Sequence, residues 1–380
     1  MTLEAAELNA FVKTARRFSG QDVAPLLRGE GRDGDLEAIP GILKAAETAG
    51  LMASADPESP GHEYGVWGRA CLVHGPAFSV ALLKELAASC AGVAACIHFA
   101  GLGALEALPS DQPSEFPQGT AVALLEEGWR LTRNALRHPP TEAAQLRQVN
   151  GEYILTGAKS FVHGLQQSRS FVVFSAGESG WRKVLVQRDA QGLTVSGTGV
   201  RAGLAALETV HLLCDRVPVE PSHILPSADP QAFITRVFLG LAAISLGNAV
   251  AALQDARSYA AQRYQGGEMI EKHPAVLGLI GDAASRVYAC DAHLKTVAEN
   301  QGRPEQALCQ AAAAKLRITT ECCQAVTDCM QVLGGYGYME DFRMEKRLRD
   351  ALTLKTMCGR PDDLRLLCGQ TESGGAAHGI

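Results

Sequence analysis

A glutamine and three glycines near the C-terminus have the residue types and spacing of a phosphate site. Gln331, Gly334, Gly335 and Gly337 lie within one short segment that follows an apolar helical pattern. Because glycine has no side chain, such a backbone can approach a phosphate closely and offer it N–H groups. Arg263 could add a charge-assisted hydrogen bond. The alternative is that the glycines only cap two helices and that Arg263 is an ordinary surface residue.

Other catalytic and metal-binding patterns are missing from the sequence. The ten histidines include no H-x-x-x-H pattern on a helix, and no Cys/His pair has zinc-finger spacing. Ser160 and Ser168 lie near His163 but have no G-x-S-x-G turn. The sequence therefore predicts no metal site and no serine nucleophile.

The composition excludes several classes of protein. The 380 residues are 47 % apolar and 20 % charged, which is ordinary for a globular protein. A net charge of −6 and an aromatic content of 6 % argue against binding nucleic acid. The run 237–253 is uncharged but short for a bilayer, and acids occupy the N-terminus, so we expect neither membrane insertion nor export. Eleven irregularly spaced cysteines indicate a reducing compartment, and we expect a cytoplasmic protein.

The elements that must position these residues follow from two changes of hydrophobic period. Residues 1–119 read as helices, because apolar residues recur at helical spacing. Short β-rich runs separated by Gly, Asn and Ser predict a β-domain over 120–228. Helical spacing returns over 229–369, which predicts a helical bundle, and 370–380 reads as a flexible tail.

Residues 331–351 carry a family resemblance. They read QVLGGYGYMEDFRMEKRLRDA, which resembles the Q-x-x-G-G-x-G-[YF] and E-[RK]-x-x-R-D-A signature of the acyl-CoA dehydrogenase family. Residues 157–162 (GAKSFV) resemble that family's G-x-K-x-W-I segment, and 259–263 (YAAQR) its Y-A-x-x-R. The resemblance implies a multi-domain α+β fold with N-terminal helices, a central antiparallel β-barrel-like domain and a C-terminal four-helix bundle.

The same resemblance implies FAD bound between subunits. Arg263 and the turn of Gln331, Gly334, Gly335 and Gly337 would hold its pyrophosphate from opposite sides of a subunit interface. Phe161 would flank the isoalloxazine, while Leu125 and His163 stand where the family has flavin-binding threonines. An oligomer, most simply a homotetramer, follows, with an electron-transfer flavoprotein or a reductase as an electron partner.

The departures from the family pattern concern the catalytic base. The family's Glu in a Y-E-G-T segment falls on Cys358, and the alternative base position on the long bundle helix falls on Val237. A cysteine acts as a base only as a thiolate, whose pKa Arg360 could depress; otherwise Cys358 is an inert small residue. Glu126 is the first other carboxylate to test.

Three functions therefore remain open at the level of the sequence. The first is FAD-dependent α,β-dehydrogenation of an acyl-CoA or related thioester or acid, which would make the chain an enzyme. The second is a non-catalytic or half-catalytic subunit that pairs with a complete homologue. The third is a flavin-dependent monooxygenase on the same fold.

Overall fold

The computed structural model describes residues 5–25, 33–54, 56–108, 119–164, 168–226, 228–300 and 302–373. Most of the predicted tail, 374–380, lies outside these residues, as do residues 109–118. The last described helix continues to Ser373, beyond the predicted end of the bundle at 369. The described part of the chain runs from helices through one sheet to a second set of helices, as the hydrophobic periods predict.

The N-terminal helices surround an almost completely buried helix. They are α1 (Ala5–Phe18), α2 (Ile39–Thr48), α3 (Gly61–Tyr64), α4 (Ala70–His74), α5 (Ala77–Ser89) and α6 (Ala91–Ala107). Helix α6 is apolar on every side, which is the pattern of a helix enclosed by other elements, and it packs against α5 and the first strand of the sheet. Its Gly103 approaches the carbonyl of Thr120 so closely that a Cβ atom would lie 1.7 Å from that oxygen.

The central sheet is mixed. Its strands are β1 (Thr120–Ala123), β2 (Gln145–Val149), β3 (Glu152–Gly164), β4 (Ser170–Gly177), β5 (Gly180–Gln187), β6 (Leu193–Gly197), β7 (Glu208–Val219) and β8 (Ile224–Leu225). Their order is β6-β7-β3-β1-β4-β5-β8, and β2 pairs with both β3 and β4.

The expectation of an antiparallel sheet was therefore only partly right, because β1 and β2 each pair with β4 in parallel. A parallel pair needs a long crossover. The chain between β1 and β4 supplies one, since it includes helix α7 (Arg133–Arg137) and the β2–β3 hairpin.

An irregularity in β3 sets the direction of one candidate site residue. The register between β3 and β7 shifts between Lys159 and Val162, and Phe161 within this stretch has φ +53°. Such bulges commonly re-aim a side chain, and here 55 % of Phe161 is exposed although its neighbours Ser160 and Val162 are buried.

The C-terminal part is a helical bundle with a small hairpin. It consists of α8 (Pro230–Gln262), β9 (Tyr264–Gln265), β10 (Glu268–Met269), α9 (Pro274–Glu299), α10 (Pro304–Leu333), α11 (Met344–Thr356) and α12 (Pro361–Ser373). Asp229 caps α8 by accepting a hydrogen bond from the Ala232 amide at 3.0 Å. Gly334 ends α10 with φ +57°. Arg343 precedes α11 with φ +55° and makes no side-chain cap.

Helix α8 is the core of the bundle. By length and composition it could cross a membrane, but 89 % of its most apolar window is buried inside the chain. Its closest packing is against α10, α5 and α9. The apolar run 237–253 therefore lies in the core of the chain itself.

Candidate functional site

A cavity of about 550 Å³ lies between the sheet and the two last helices. Four segments form its wall: the β1–α7 connection, the C-terminal part of β3, the β6–β7 connection, and the junction of α11 with α12. The wall residues are Leu125, Glu126, Gly128, Trp129, Leu131, Phe161, His163, Thr198, Arg201, Leu204, Leu207, Thr209, Thr353, Thr356, Met357, Cys358, Gly359, Arg360 and Asp363.

Six of the candidate residues meet in this cavity, although they come from three separate stretches of sequence. They are Leu125, Glu126, Phe161, His163, Cys358 and Arg360. The others, Arg263, Gln331, Gly334, Gly335 and Gly337, do not line it. The structure thus divides the predicted site into a cavity and a separate glycine turn.

His163 presents a neutral imidazole to the cavity. The side chain is buried, its Nδ1 lies 2.9 Å from the Thr209 hydroxyl, and its ring packs against Phe99 with centroids 4.9 Å apart. Burial lowers the pKa of His163 to about 3, and the nearby charge of Arg201 acts in the same direction. The ring can therefore hydrogen-bond to a ligand but carries no charge near neutral pH.

Glu126 is held by a buried lysine that we did not single out from the sequence. Lys159 is fully buried, its Nζ donates to the Leu124 carbonyl at 2.9 Å, and it forms an ion pair with Glu126. The Ala144 amide donates to Glu126 Oε1 at 3.2 Å. Burial raises the pKa of Glu126 and the charge of Lys159 opposes that rise, so the pair compensates itself within the protein.

Cys358 carries a protonated thiol, contrary to the thiolate hypothesis. Burial raises the pKa of Cys358 to about 12, and the charge of Lys315 offsets this only in part. Arg360 does not supply the expected activation, because its Nε donates to Asp363 at 3.3 Å and its side chain is 61 % exposed. Val237, the other possible base position, is buried within α8.

Lys315 contacts the backbone directly after Cys358. Cys358 and Gly359 have φ values of +49° and +122°, a reversal that directs this segment toward the cavity. Lys315 is buried, and its Nζ donates to the Gly359 carbonyl at 2.8 Å. Burial lowers the pKa of Lys315 to about 8. The sequence offered no signal for this contact, because it joins helix α10 to the distant junction of α11 with α12.

The glycine turn lies at the surface beside Arg263. The Arg263 guanidinium sits 5.4 Å from the centre of the Tyr336 ring of the same chain. The prediction that Arg263 and the turn face each other across an interface was therefore wrong: they share one side of one chain.

The fold of the chain requires the three glycines of the turn to different degrees. A Cβ atom at Gly337 would lie 2.6 Å from the Met330 carbonyl oxygen, and Gly334 has a positive φ. A Cβ atom at Gly335 would meet nothing within 4 Å. The fold of this chain therefore requires Gly334 and Gly337 but leaves Gly335 open toward an external group.

Three buried polar atoms on the cavity wall have no hydrogen-bond partner within the described residues. They are Glu126 Oε2, Trp129 Nε1 and Arg201 Nε. An unsatisfied buried polar atom costs roughly 1–3 kcal/mol, which a ligand of matching polarity recovers. The wall offers both donors and an acceptor, so it suits a ring with mixed hydrogen-bonding groups such as a flavin. In the same described ranges, no three His, Cys, Asp or Glu side chains form a group that could hold a metal ion.

Comparison with known sequences identifies the C-terminal part. Residues 234–369 match the acyl-CoA dehydrogenase C-terminal domain family. An acyl-CoA dehydrogenase of Bacillus subtilis is 29 % identical over 63 % of this chain and 66 % of its own length. The matches to four further relatives cover 54–64 % of their lengths. A short-chain-specific acyl-CoA dehydrogenase of Megasphaera elsdenii is 27 % identical over 90 % of this chain and 91 % of its own length.

Comparison with solved structures extends the likeness to the whole fold. Butyryl-CoA dehydrogenase from Megasphaera elsdenii superposes with a TM-score of 0.77 at 19 % identity, covering 98 % of this chain and 99 % of that one. Glutaryl-CoA dehydrogenase from Mycobacterium smegmatis gives 0.80 at 20 % identity, covering 99 % and 96 %. Residues 234–369 therefore match the acyl-CoA dehydrogenase C-terminal domain family, and the chain has the fold of the acyl-CoA dehydrogenases.

Proposed function

We propose that this chain binds FAD with the isoalloxazine in the cavity and an acyl-CoA or related thioester beside it. The observation that supports this most is that the wall joins Phe161 and His163 of the sheet to Cys358 of the bundle, so two separate family-like segments enclose one space. The unpaired polar atoms of Glu126 and Trp129 fit a hydrogen-bonding ligand there. When bound, the flavin supplies an acceptor for a hydride.

Flavin contacts on this chain divide between the two regions. Leu125, Phe161 and His163 would contact the ring in the cavity. Arg263 and the Gln331–Gly337 turn, which lie together at the surface, would contact the pyrophosphate of FAD bound to a second copy. This arrangement implies an oligomer, and we propose a homotetramer in the cytoplasm.

The reaction that we propose is weak α,β-dehydrogenation of an acyl-CoA or related acid. Removal of the α-proton needs a base within hydrogen-bond reach, which typically contributes 10²–10⁴-fold. Cys358 is protonated, and Asp363 is held by Arg130 at 2.6 Å and Arg360 at 3.3 Å. Glu126 is the carboxylate on the wall with a free oxygen, so residual turnover would depend on it.

The lack of a carboxylate at Cys358 also favours a second candidate function. The chain would then be a non-catalytic or half-catalytic subunit that pairs with a complete homologue and contributes to a shared flavin site. An electron-transfer flavoprotein or a reductase would be its electron partner. A flavin-dependent monooxygenase is the third candidate, because its chemistry would not require a base at position 358.

The test is flavin content followed by reduction of the purified full-length chain. We expect stoichiometric FAD, slow bleaching of the flavin by butyryl-CoA without oxygen, and a further loss of bleaching in Glu126→Gln. Bleaching only by an external reductase would favour the monooxygenase. Flavin retention only together with a homologous subunit would favour the half-catalytic role. Failure to bind FAD even when it is added in excess would contradict the proposal.

A further inference from the structure

One charged side chain on the cavity wall has no ion-pair partner. The charged wall residues are Glu126, Arg201, Arg360 and Asp363. Glu126 pairs with Lys159, and Arg360 pairs with Asp363. Within the described ranges, no carboxylate oxygen lies within 4.0 Å of the Arg201 guanidinium. Its neighbour in sequence, Glu208, pairs instead with Arg188 at 3.3 Å.

Arg201 is anchored by one edge of its guanidinium only. Its Nη2 donates to the carbonyls of Leu204, at 3.3 Å, and Leu207. Its Nε is buried and has no acceptor in the described part of the chain. Burial lowers the pKa of Arg201, but an arginine stays protonated in proteins, so a partly desolvated positive charge remains on the wall.

The hydrogen bonds from Arg201 to the 204–207 turn explain only part of this arrangement. They use the Nη2 group and neutral carbonyl oxygens, and they leave Nε without an acceptor in the described part of the chain. The charge of Glu208 acts on Arg201 from a distance, but Glu208 is itself paired with Arg188. A partly buried charge without a close counter-ion is costly, whereas a carboxylate would accept a charge-assisted hydrogen bond from Nε. The oxidised flavin ring is neutral, so it would not balance the charge. A negatively charged group on the thioester ligand would balance the charge.

We infer that Arg201 binds a carboxylate of the acyl ligand, so that the preferred substrates are acyl thioesters with a second acid group. This inference rests on the proposed function, because it assumes that a thioester occupies the cavity. It adds the chemical class of the acyl chain. Leu204 and Leu207, which lie beside Arg201 on the wall, are apolar and suit the methylene groups between the two ends.

The test compares two thioesters that differ at one end. Glutaryl-CoA and valeryl-CoA have the same number of acyl carbons, but one ends in a carboxylate and the other in a methyl group. Titration calorimetry on the full chain saturated with FAD should show about tenfold or tighter binding of glutaryl-CoA, the range of a charge-assisted hydrogen bond. The preference should weaken as salt is raised.

Variants of Arg201 test whether this residue causes the preference for glutaryl-CoA. Arg201→Gln should remove it, and Arg201→Lys should keep most of it because the charge remains. Arg365→Gln is the matched control, since Arg365 is exposed on α12 and pairs with Asp362. If Arg201→Gln does not fold, the comparison of the two thioesters on the unaltered chain still tests whether a second carboxylate is preferred.

The possible outcomes separate this inference from the proposed function. Equal affinity for the two thioesters would overturn the role of Arg201 and leave the function standing. Absence of binding by either thioester would contradict the function itself. Loss of FAD or a changed flavin spectrum in Arg201→Gln, with the thioester preference intact, would show that Arg201 serves the flavin and would also overturn the inference.

Discussion

The cavity and the glycine turn satisfy their polar groups in different ways. In the cavity, buried charges find partners inside the chain: Glu126 with Lys159, and Asp363 with two arginines. In the turn, Gln331, Gly335 and Tyr336 are exposed, and a Cβ atom at Gly335 would meet nothing within 4 Å. The turn keeps the family pattern, whereas the cavity departs from it at Leu125, His163 and Cys358.

This difference shows where an external partner is needed. A Cβ atom at Gly335 would meet nothing within 4 Å, so the backbone there is open to a ligand or to a second copy. A cavity whose carboxylates are already paired has lost a free base while keeping room for a ligand. Under the proposed function, the cavity would hold the flavin ring and the thioester, whereas the turn would hold only the pyrophosphate.

The largest effect should come from restoring a carboxylate in the cavity. Cys358→Glu should raise turnover of butyryl-CoA by about 10²–10⁴-fold, the usual contribution of a positioned base. The cavity beside Cys358 has space for the longer side chain, and Lys315 behind it would keep the new carboxylate ionised. Steady-state kinetics measure the gain, with Cys358→Gln as the uncharged control. Robust turnover by the unaltered chain would contradict the claim that the cavity lacks a base.

The second test removes one half of a buried ion pair. Lys159→Met should lower the free energy of unfolding by about 3–5 kcal/mol, because Glu126 would be left buried without its counter-ion. The double variant Glu126→Gln with Lys159→Met should recover part of this loss, since neither member then carries a charge. Urea denaturation of the unaltered chain, the single variants and the double variant measures the coupling free energy between Glu126 and Lys159. Additive losses would show that the pair does not act as a unit.

A smaller effect is expected at the glycine turn. Gly335→Asp should reduce FAD retention by about tenfold or more, because an added anion repels the pyrophosphate at close range. Gly335→Ala is the matched control and should retain FAD, since a Cβ atom there meets nothing within 4 Å. Both variants should unfold at the same temperature as the unaltered chain. Unchanged flavin content in Gly335→Asp would mean that the turn serves only as a helix cap.

A separate effect concerns pH. Burial lowers the pKa of both His98 and His163 to about 3, so the unfolded chain binds more protons than the folded one between that value and about pH 6.5. Stability is therefore complete above about pH 6.5 and falls as the pH drops, by roughly 1.4 kcal/mol per pH unit for each ring. His163→Asn should halve this contribution in chemical unfolding between pH 4 and 7. An identical slope in that variant would contradict the burial of His163 as a neutral ring.

Local sequence patterns predicted the order of elements and several members of the site. The switch from helical to alternating spacing and back placed the sheet between Thr120 and Leu225, where the strands lie. The resemblance placed Phe161, His163 and Cys358 in one site, and the structure brings them to one cavity. The mixed sheet was not predictable in this way, because alternation shows which residues face inward but not which strands are neighbours.

The chemistry of the site depended on contacts between residues far apart in the chain. No local pattern signals the pairing of Lys159 with Glu126 or the contact of Lys315 with the Gly359 carbonyl. Nor does one signal that Arg201 has no ion-pair partner among the described residues. Whether Cys358 is a thiolate, or His163 a cation, depends on burial and on charges brought close by folding, since these set the pKa. The sequence alone determined the family pattern, the periods of the elements and the absence of a carboxylate at position 358. Only the tertiary structure decided which groups are charged, because solvation and distance are properties of the folded chain.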